Sequence, residues 1–367
     1  MPDIQPGQRP ALSSDEGGLW LMMDKAETSL KTSGRLVEDE ALARYVNDIV
    51  CRLSMEHCRD IRVYIVRTPN FNATMAPNGS MNVWTGLLLR TQNEAQLAFV
   101  LGHEIAHYLR RHSLQRWQTI RDTADFLVFF KIAAAFAGVG IAGDVAHLIA
   151  AGSLAGYSRD QEREADAYGL KLMAQAGYDP REAARIWTAL QAEKDAEGQD
   201  SASVFFASHP SSNERAETIR KLAQTLESEI KGNGRQQAEL QKHIEGHRSL
   251  WLRDELRRKR YESFRVLLDQ QMVEPVSSAL IDFYRGELFR LRAEDGDAER
   301  AIAAFEKAKA QPSVPATVYR SLGLVQWNRN ELLAARNAFE QYLEADPNAT
   351  DRAMIANYVI KLTEKIK

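Results

Sequence analysis

Two histidines four residues apart, with a glutamate directly after the first, stand out in His103-Glu104-Ile105-Ala106-His107. On a helix that spacing puts both imidazoles on one face, where they can reach a single ion at ~2.0–2.1 Å. Glu104 then sits beside the ion as a carboxylate that does not ligate. It can take a proton from metal-activated water and later deliver it to a leaving amine.

A catalytic zinc takes three protein ligands and keeps one position open, so a third ligand must come from elsewhere in the chain. Glu162-Arg163-Glu164-Ala165-Asp166 supplies the candidate, Glu162, with Asp166 one turn later on the same face. Asp166 suits a hydrogen bond to the far nitrogen of a ligating histidine, which fixes the tautomer and raises the basicity of that ring. Glu164 points elsewhere at helical spacing and reads as a solvated surface residue.

Other histidines carry less. The metzincin pattern fails, because Arg110 stands where its glycine would be and Ser113 where its third histidine would be, and His112 then reads as a surface residue. His243 and His247 share the four-residue spacing, but their glutamate is displaced and Gly246 lies between them. They are not expected to bind metal except adventitiously. His57 and His147 have no partner pattern, and Arg257-Arg258-Lys259-Arg260 reads as a solvated helix face.

These residues need elements to hold them. Leu19 to Leu53 reads as two helices, the second with Leu42, Tyr45, Val46, Ile49 and Val50 at helical spacing. Ile61 to Val66 has strand composition, and Phe71 to Val83 reads as a further strand or hairpin turning at Pro77-Asn78-Gly79. A capping box at Thr91 to Glu94 opens the helix that bears the histidine pair. A second, at Ser158 to Gln161, opens the helix of Glu162, which stops at Gly177-Tyr178-Asp179-Pro180.

The chain of 367 residues favours two domains over one. Residues 1–18 are polar and rich in Pro and Gly, a flexible tail; 19–230 form the domain with the metal motif. Residues 231–268 read as a linker, flexible around Lys231 to Gly234 and then charged helix, and 269–367 as helical repeats. In that last part Tyr319, Leu322, Gly323, Ala335, Phe339 and Pro347 fall on the ~34-residue tetratricopeptide pattern. Tyr284, Gly286, Ala301, Phe305 and Ala308 form a second copy with a longer turn at Glu294 to Asp297. Such a tail can bind partner proteins, and so short a stack is expected to dock on the preceding domain.

The expected fold class is mainly α with a small β-sheet, an α+β zincin-like domain, followed by an all-α repeat domain. Composition is ordinary for a globular protein, 44% hydrophobic and 26% charged, and a net charge of −3 gives no reason to invoke nucleic acid. The apolar stretch from Phe126 to Tyr157 is broken by Lys131, Asp144 and His147, so no transmembrane span is expected. Cys51 and Cys58 could bond only if the helix ends between them, since seven helical residues hold them too far apart. The first 18 residues have neither a basic start nor an apolar core, which leaves a cytoplasmic protein or a mature or trimmed chain whose export signal is gone.

His103 to His107 followed by Ser158 to Asp166 resembles the M48 family of zinc metallopeptidases, over about residues 19–225. The segment Asn72-Ala73-Thr74-Met75-Ala76-Pro77-Asn78-Gly79, through Val83 to Gly86, resembles the family's edge strand before the metal helix. Ser208-His209-Pro210 with Arg215 resembles a later motif. The resemblance implies a zinc endopeptidase with one Zn2+ per chain. It makes His209 a candidate fourth ligand that holds the enzyme latent, and places Arg215 near the substrate carbonyl. With the repeat tail added, the chain resembles periplasmic proteases that assist outer-membrane β-barrel assembly. Unfolded or misassembled polypeptides in the cell envelope would then be its substrates, added as a strand along Asn72, Ala73, Met75, Pro77 and Gly79. The competing expectation is a repeat-based adaptor or chaperone built on an inactive protease scaffold.

Overall fold

In a computed structural model, the structure describes residues 1–122, 156–198, 205, 209, 213–226, 237–271 and 276–366. The expected flexible segment around Lys231 to Gly234 and most of the apolar stretch from Phe126 to Tyr157 lie outside the described residues. Among the described residues no helix is long and apolar enough to cross a membrane. The protein is mainly helical with one small sheet and divides into two compact units. The first is Met1–Lys194 with Gly198–Trp251, the second Asp195–Glu197 with Leu252–Lys367.

The first unit opens with α1 (Asp15–Lys31), capped by Ser14, and α2 (Glu40–Ser54), whose N-cap Asp39 accepts from the N–H groups of Ala41 and Leu42. Residues 1–18 are not the free tail expected. Ile4 is buried and its N–H donates to the carbonyl of Leu109 at 3.1 Å, and α1 already begins at Asp15. The α2 helix stops at Ser54 and a 3-10 turn, Met55–Asp60, brings Cys58 back to bond Cys51. The condition for a disulfide is thereby met.

Strands β1 (Arg62–Val66), β2 (Ala73–Met75) and β3 (Ser80–Trp84) form a sheet in the order β1-β3-β2. The outer pairs are parallel for β1 with β3 and antiparallel for β2 with β3. The hairpin between β2 and β3 turns through Gly79 at φ +87°, where a Cβ would lie 2.0 Å from the carbonyl oxygen of Asp60.

After the sheet come α3 (Thr85–Arg90) and α4 (Glu94–Leu109). The short α3 was not foreseen, and it changes the capping: the Thr91 hydroxyl donates back to the carbonyls of Leu87 and Leu88, closing α3. Asn93, not Thr91, caps α4 by accepting from the Gln96 N–H at 2.9 Å. Every residue of α4 is buried, the polar Glu94, Gln96, His103, Glu104 and His107 included, which makes this helix the centre of the unit. Against it pack α2, β2, α5 (His112–Asp122) and α6 (Arg159–Gln175); α7 (Arg181–Glu197) reaches it through Glu182, which accepts from Gln96, and α8 (Asn213–Leu226) packs on α6.

Helix α9 (Gln237–Leu256) carries the boundary between units at Trp251. Its first part, expected within a linker over 231–268, belongs to the first unit for identifiable reasons. Gln241 donates to the carbonyls of Thr91 and Gln92, His247 bonds Asp39 at 2.8 Å, and His243 stacks on Tyr45 at 4.1 Å. The two histidines are thus engaged separately and do not converge on one point.

The second unit contains α10 (Tyr261–Gln270), the hairpins α11 (Ser278–Arg292) with α12 (Asp297–Lys309) and α13 (Thr317–Asn328) with α14 (Leu332–Ala345), and the final α15 (Arg352–Ile366). Each hairpin closes over a glycine. A Cβ on Gly286 would strike the ring of Phe305 at 2.4 Å, and one on Gly323 the ring of Phe339 at 2.7 Å.

Candidate metal centre

The centre is built where α4 crosses α6. Gly102 and Gly169 face each other at the crossing, with no side chain to hold the backbones apart. The start of α6 is fixed by a complete capping box: Ser158 accepts from the Gln161 N–H and Gln161 accepts in return from that of Ser158. The first turn of α6 thereby lies beside the inward face of α4, and Glu162 and Asp166 are both buried.

Four donor atoms converge. Nε2 of His103 and Nε2 of His107 are 3.1 Å apart, Nδ1 of His209 is 3.2 Å from Nε2 of His103, and Glu162 Oε1 is 2.9 Å from His209 Nδ1 and 3.5 Å from His107 Nε2. A tetrahedral ion bound at ~2.0–2.1 Å has ligand-to-ligand edges of about 3.3–3.4 Å. Ring nitrogens packed face to face with a carboxylate in a dry interior are what a cation requires. These four buried residues could hold a metal ion, and imidazole with carboxylate fits zinc.

Glu104 lies against this group, 1% exposed, with Oε1 at 3.3 Å from Nε2 of His209 and the N–H of Met75 in β2 donating to its carboxylate. Burial raises its pKa above the usual glutamate value, more than the neighbouring histidines lower it. Burial also pushes Glu162 upward, but His209 and His107 outweigh it and hold that carboxyl well below the usual range. The strongest influence on His107 is burial, which holds it well below the ordinary histidine value, so the ring is neutral with a free lone pair.

The surrounding residues hold the donors in turn. Nδ1 of His103 lies 3.0 Å from Oδ1 of Asp166. Arg215 also reaches this group. Its guanidinium is buried, with Nε and Nη2 each donating to Asp166 at 2.8 Å and Nη1 2.6 Å from Glu162 Oε2. Two carboxylates in a dry site claim all three of its nitrogens, and the guanidinium also lies over the Trp187 ring at 4.9 Å.

His112 is the clearest correction. Expected at the surface, it is fully buried, with Nδ1 2.8 Å from Nδ1 of His107 and Nε2 3.1 Å from Oε2 of Glu164. Glu164, expected to be merely solvated, is bound to both His112 and Arg110. The backbone at Arg111 has φ +58°, a turn that folds α5 back onto α4, and helical periodicity carries no sign of it. Tyr157 was also not foreseen; its ring stacks on His107 at 3.7 Å.

The edge-strand segment has a mixed outcome. Ala73 and Met75 lie in β2 at the edge of the sheet, but Asn72, Ala73, Met75 and Gly79 are buried and only Pro77 is partly exposed. Of the Ser208-His209-Pro210 motif, Ser208 and Pro210 lie outside the described residues.

Comparison with known proteins agrees with this geometry. The chain is 36% identical over 193 residues to the mitochondrial metalloendopeptidase OMA1 of Schizosaccharomyces pombe, covering 51% of this chain and 54% of that protein. It is 30% identical over 202 residues to the mitochondrial metalloendopeptidase OMA1 of Homo sapiens, covering 51% and 38%. With the beta-barrel assembly-enhancing protease of Escherichia coli it shares 27% identity over 172 residues, covering 44% and 35%. The chain therefore spans about half or less of the length of these curated relatives. Residues 37–223, just over half of the sequence, match the model of peptidase family M48 and include all four converging donors. The chain belongs to peptidase family M48.

Proposed function

We propose that this protein is a zinc-dependent endopeptidase that hydrolyses unfolded or misassembled polypeptides in cell-envelope protein quality control. The observation that carries the reading is the convergence of His103, His107, Glu162 and His209 on one buried point with Glu104 beside it.

Zinc held there would supply a Lewis acid for the scissile carbonyl and the attacking water. Glu104 accepts the proton of that water and returns it to the leaving nitrogen; its raised affinity for a proton suits both halves of the task. Asp166 orients His103 through Nδ1, and Arg215 ties Asp166 to Glu162. His209 completes a set of four protein donors and leaves no position for water, so it acts as a latch that must withdraw before turnover. Substrate pairs as a strand with β2, whose Met75 N–H already touches Glu104.

The second unit reads as a short tetratricopeptide-like array for protein partners, supported by the glycine-on-phenylalanine packing in both hairpins. An envelope location is supported by the Cys51–Cys58 disulfide, a bond that persists in oxidising compartments. The alternative, an adaptor on a dead scaffold, is disfavoured because a degenerate enzyme loses its base or a ligand, and neither is missing here.

The test is cleavage of casein by wild type and Glu104→Gln, with zinc content measured in parallel. Retained zinc with turnover lower by roughly 10²–10⁴ is expected; undiminished cleavage would refute the assignment.

A further inference from the structure

The two helix-borne histidines are backed differently. His103 meets a carboxylate directly, through Nδ1 and Asp166. Among the described residues no carboxylate meets the far nitrogen of His107; there it meets a second imidazole, that of His112. The hydrogen-bond directions follow from the donor convergence. Nε2 of His107 faces the other donor atoms and must offer its lone pair there, which leaves the proton of this neutral ring on Nδ1. That N–H donates to Nδ1 of His112, so the proton of His112 sits on Nε2 and donates to Oε2 of Glu164. Glu164 is held in turn by Arg110, whose guanidinium also pairs with Asp3.

The geometry points to His112 as a positioning residue for the metal centre, which together with Glu164 fixes the ring angle and tautomer of His107 for metal binding. This rests on the metal-centre reading above. Each ring can carry one proton and must offer one lone pair, so an acceptor at Glu164 sets the tautomer of His112, and that tautomer sets the next. His112 is completely buried, so in the folded protein His107 meets this ring as its acceptor rather than bulk solvent. Glu164, with 40% of its side chain exposed, ends the chain at the surface. The stacked ring of Tyr157 limits the tilt of His107 but offers its Nδ1 no acceptor, since the Tyr157 hydroxyl pairs with Ser113 at 3.0 Å.

The experiment uses the full chain as wild type, His112→Phe, His112→Asn, Glu164→Leu and Glu164→Gln. Zinc affinity is measured by competition with a chromogenic chelator, and ligand geometry by the visible absorption of Co2+-loaded protein. His112→Phe and Glu164→Leu are expected to weaken zinc binding roughly 10–100-fold and to alter the Co2+ bands. His112→Asn places an amide oxygen near the lost Nδ1, and Glu164→Gln keeps an acceptor for His112, so both recover most of the affinity. Because Glu164 is partly exposed, its variants fold even if His112→Phe does not. Zinc affinity in Glu164→Leu indistinguishable from wild type overturns the proposal, as does a loss that the Asn and Gln variants fail to relieve, which marks packing alone. Wild-type protein that binds no zinc overturns the metal-centre reading itself, and this inference with it.

Discussion

Gly102 and Gly169 meet backbone to backbone where α4 crosses α6: a Cβ on Gly169 would stand 3.1 Å from the carbonyl carbon of Gly102 and 2.8 Å from the backbone nitrogen of His103. Neither backbone can yield without moving a whole helix. Gly169→Ala is therefore expected to cost about 1–3 kcal/mol and to draw Glu162 and Asp166 away from the histidines. Thermal melts and zinc titration of this variant check it; wild-type values for both would mean the helices have slack that their contact does not suggest.

His209 sits against Glu104 as well as Glu162, with its two ring nitrogens facing the two carboxylates. If it is a latch, His209→Ala frees a position at the ion and raises casein cleavage, while zinc binding weakens. A large loss of turnover with zinc retained would instead place this imidazole among the groups that stabilise the reacting carbonyl.

Acid should loosen the first unit through Glu27. Burial favours its neutral form, but hydrogen bonds from Arg62 and Tyr64 outweigh burial and lower its pKa from 4.5 to about 2. A depressed folded value means the stabilisation is complete above the unfolded pKa of 4.5 and is lost as pH falls from there through about 2. Glu27→Gln should flatten stability across that window and cost about 1–2 kcal/mol at neutral pH, the partial exposure of Arg62 limiting the figure. Denaturant titrations at several pH values measure both effects.

Removal of the Cys51–Cys58 bond, by reduction or by Cys58→Ser, opens a loop of seven-residue separation. Chain-entropy arguments put the loss at about 2–3 kcal/mol. A melting temperature insensitive to reductant would show that this bond contributes nothing to the fold.

What could be read from the chain divides along a physical line. The histidine pair, the box at Ser158 and the stop at Gly177 are set by contacts within a turn or two, and local spacing is enough to find them. Glu162 was legible for a different reason: a catalytic zinc demands a third ligand, and few carboxylates open a capped helix. His112 was not, because its partner Glu164 comes from another helix and only the reversal at Arg111 turns the ring inward. Thr91 misled for a related reason. A hydroxyl between two helices can close one or open the next, and only the presence of α3 decides. The burial of Ile4 and the contacts of Gln241 likewise depend on distant surfaces that periodicity does not encode.

The histidine pair lies on one helix, Glu162 begins another, and His209 comes later still, each waiting for packing around a helix that is buried on every side. Nascent chain emerging in order cannot bring all four donors together until the last of these arrives. Before His209 arrives, the centre holds at most its two helix-borne histidines, Glu162 and Glu104, so on the latch reading the donor that comes last in the chain is the one that restrains the rest.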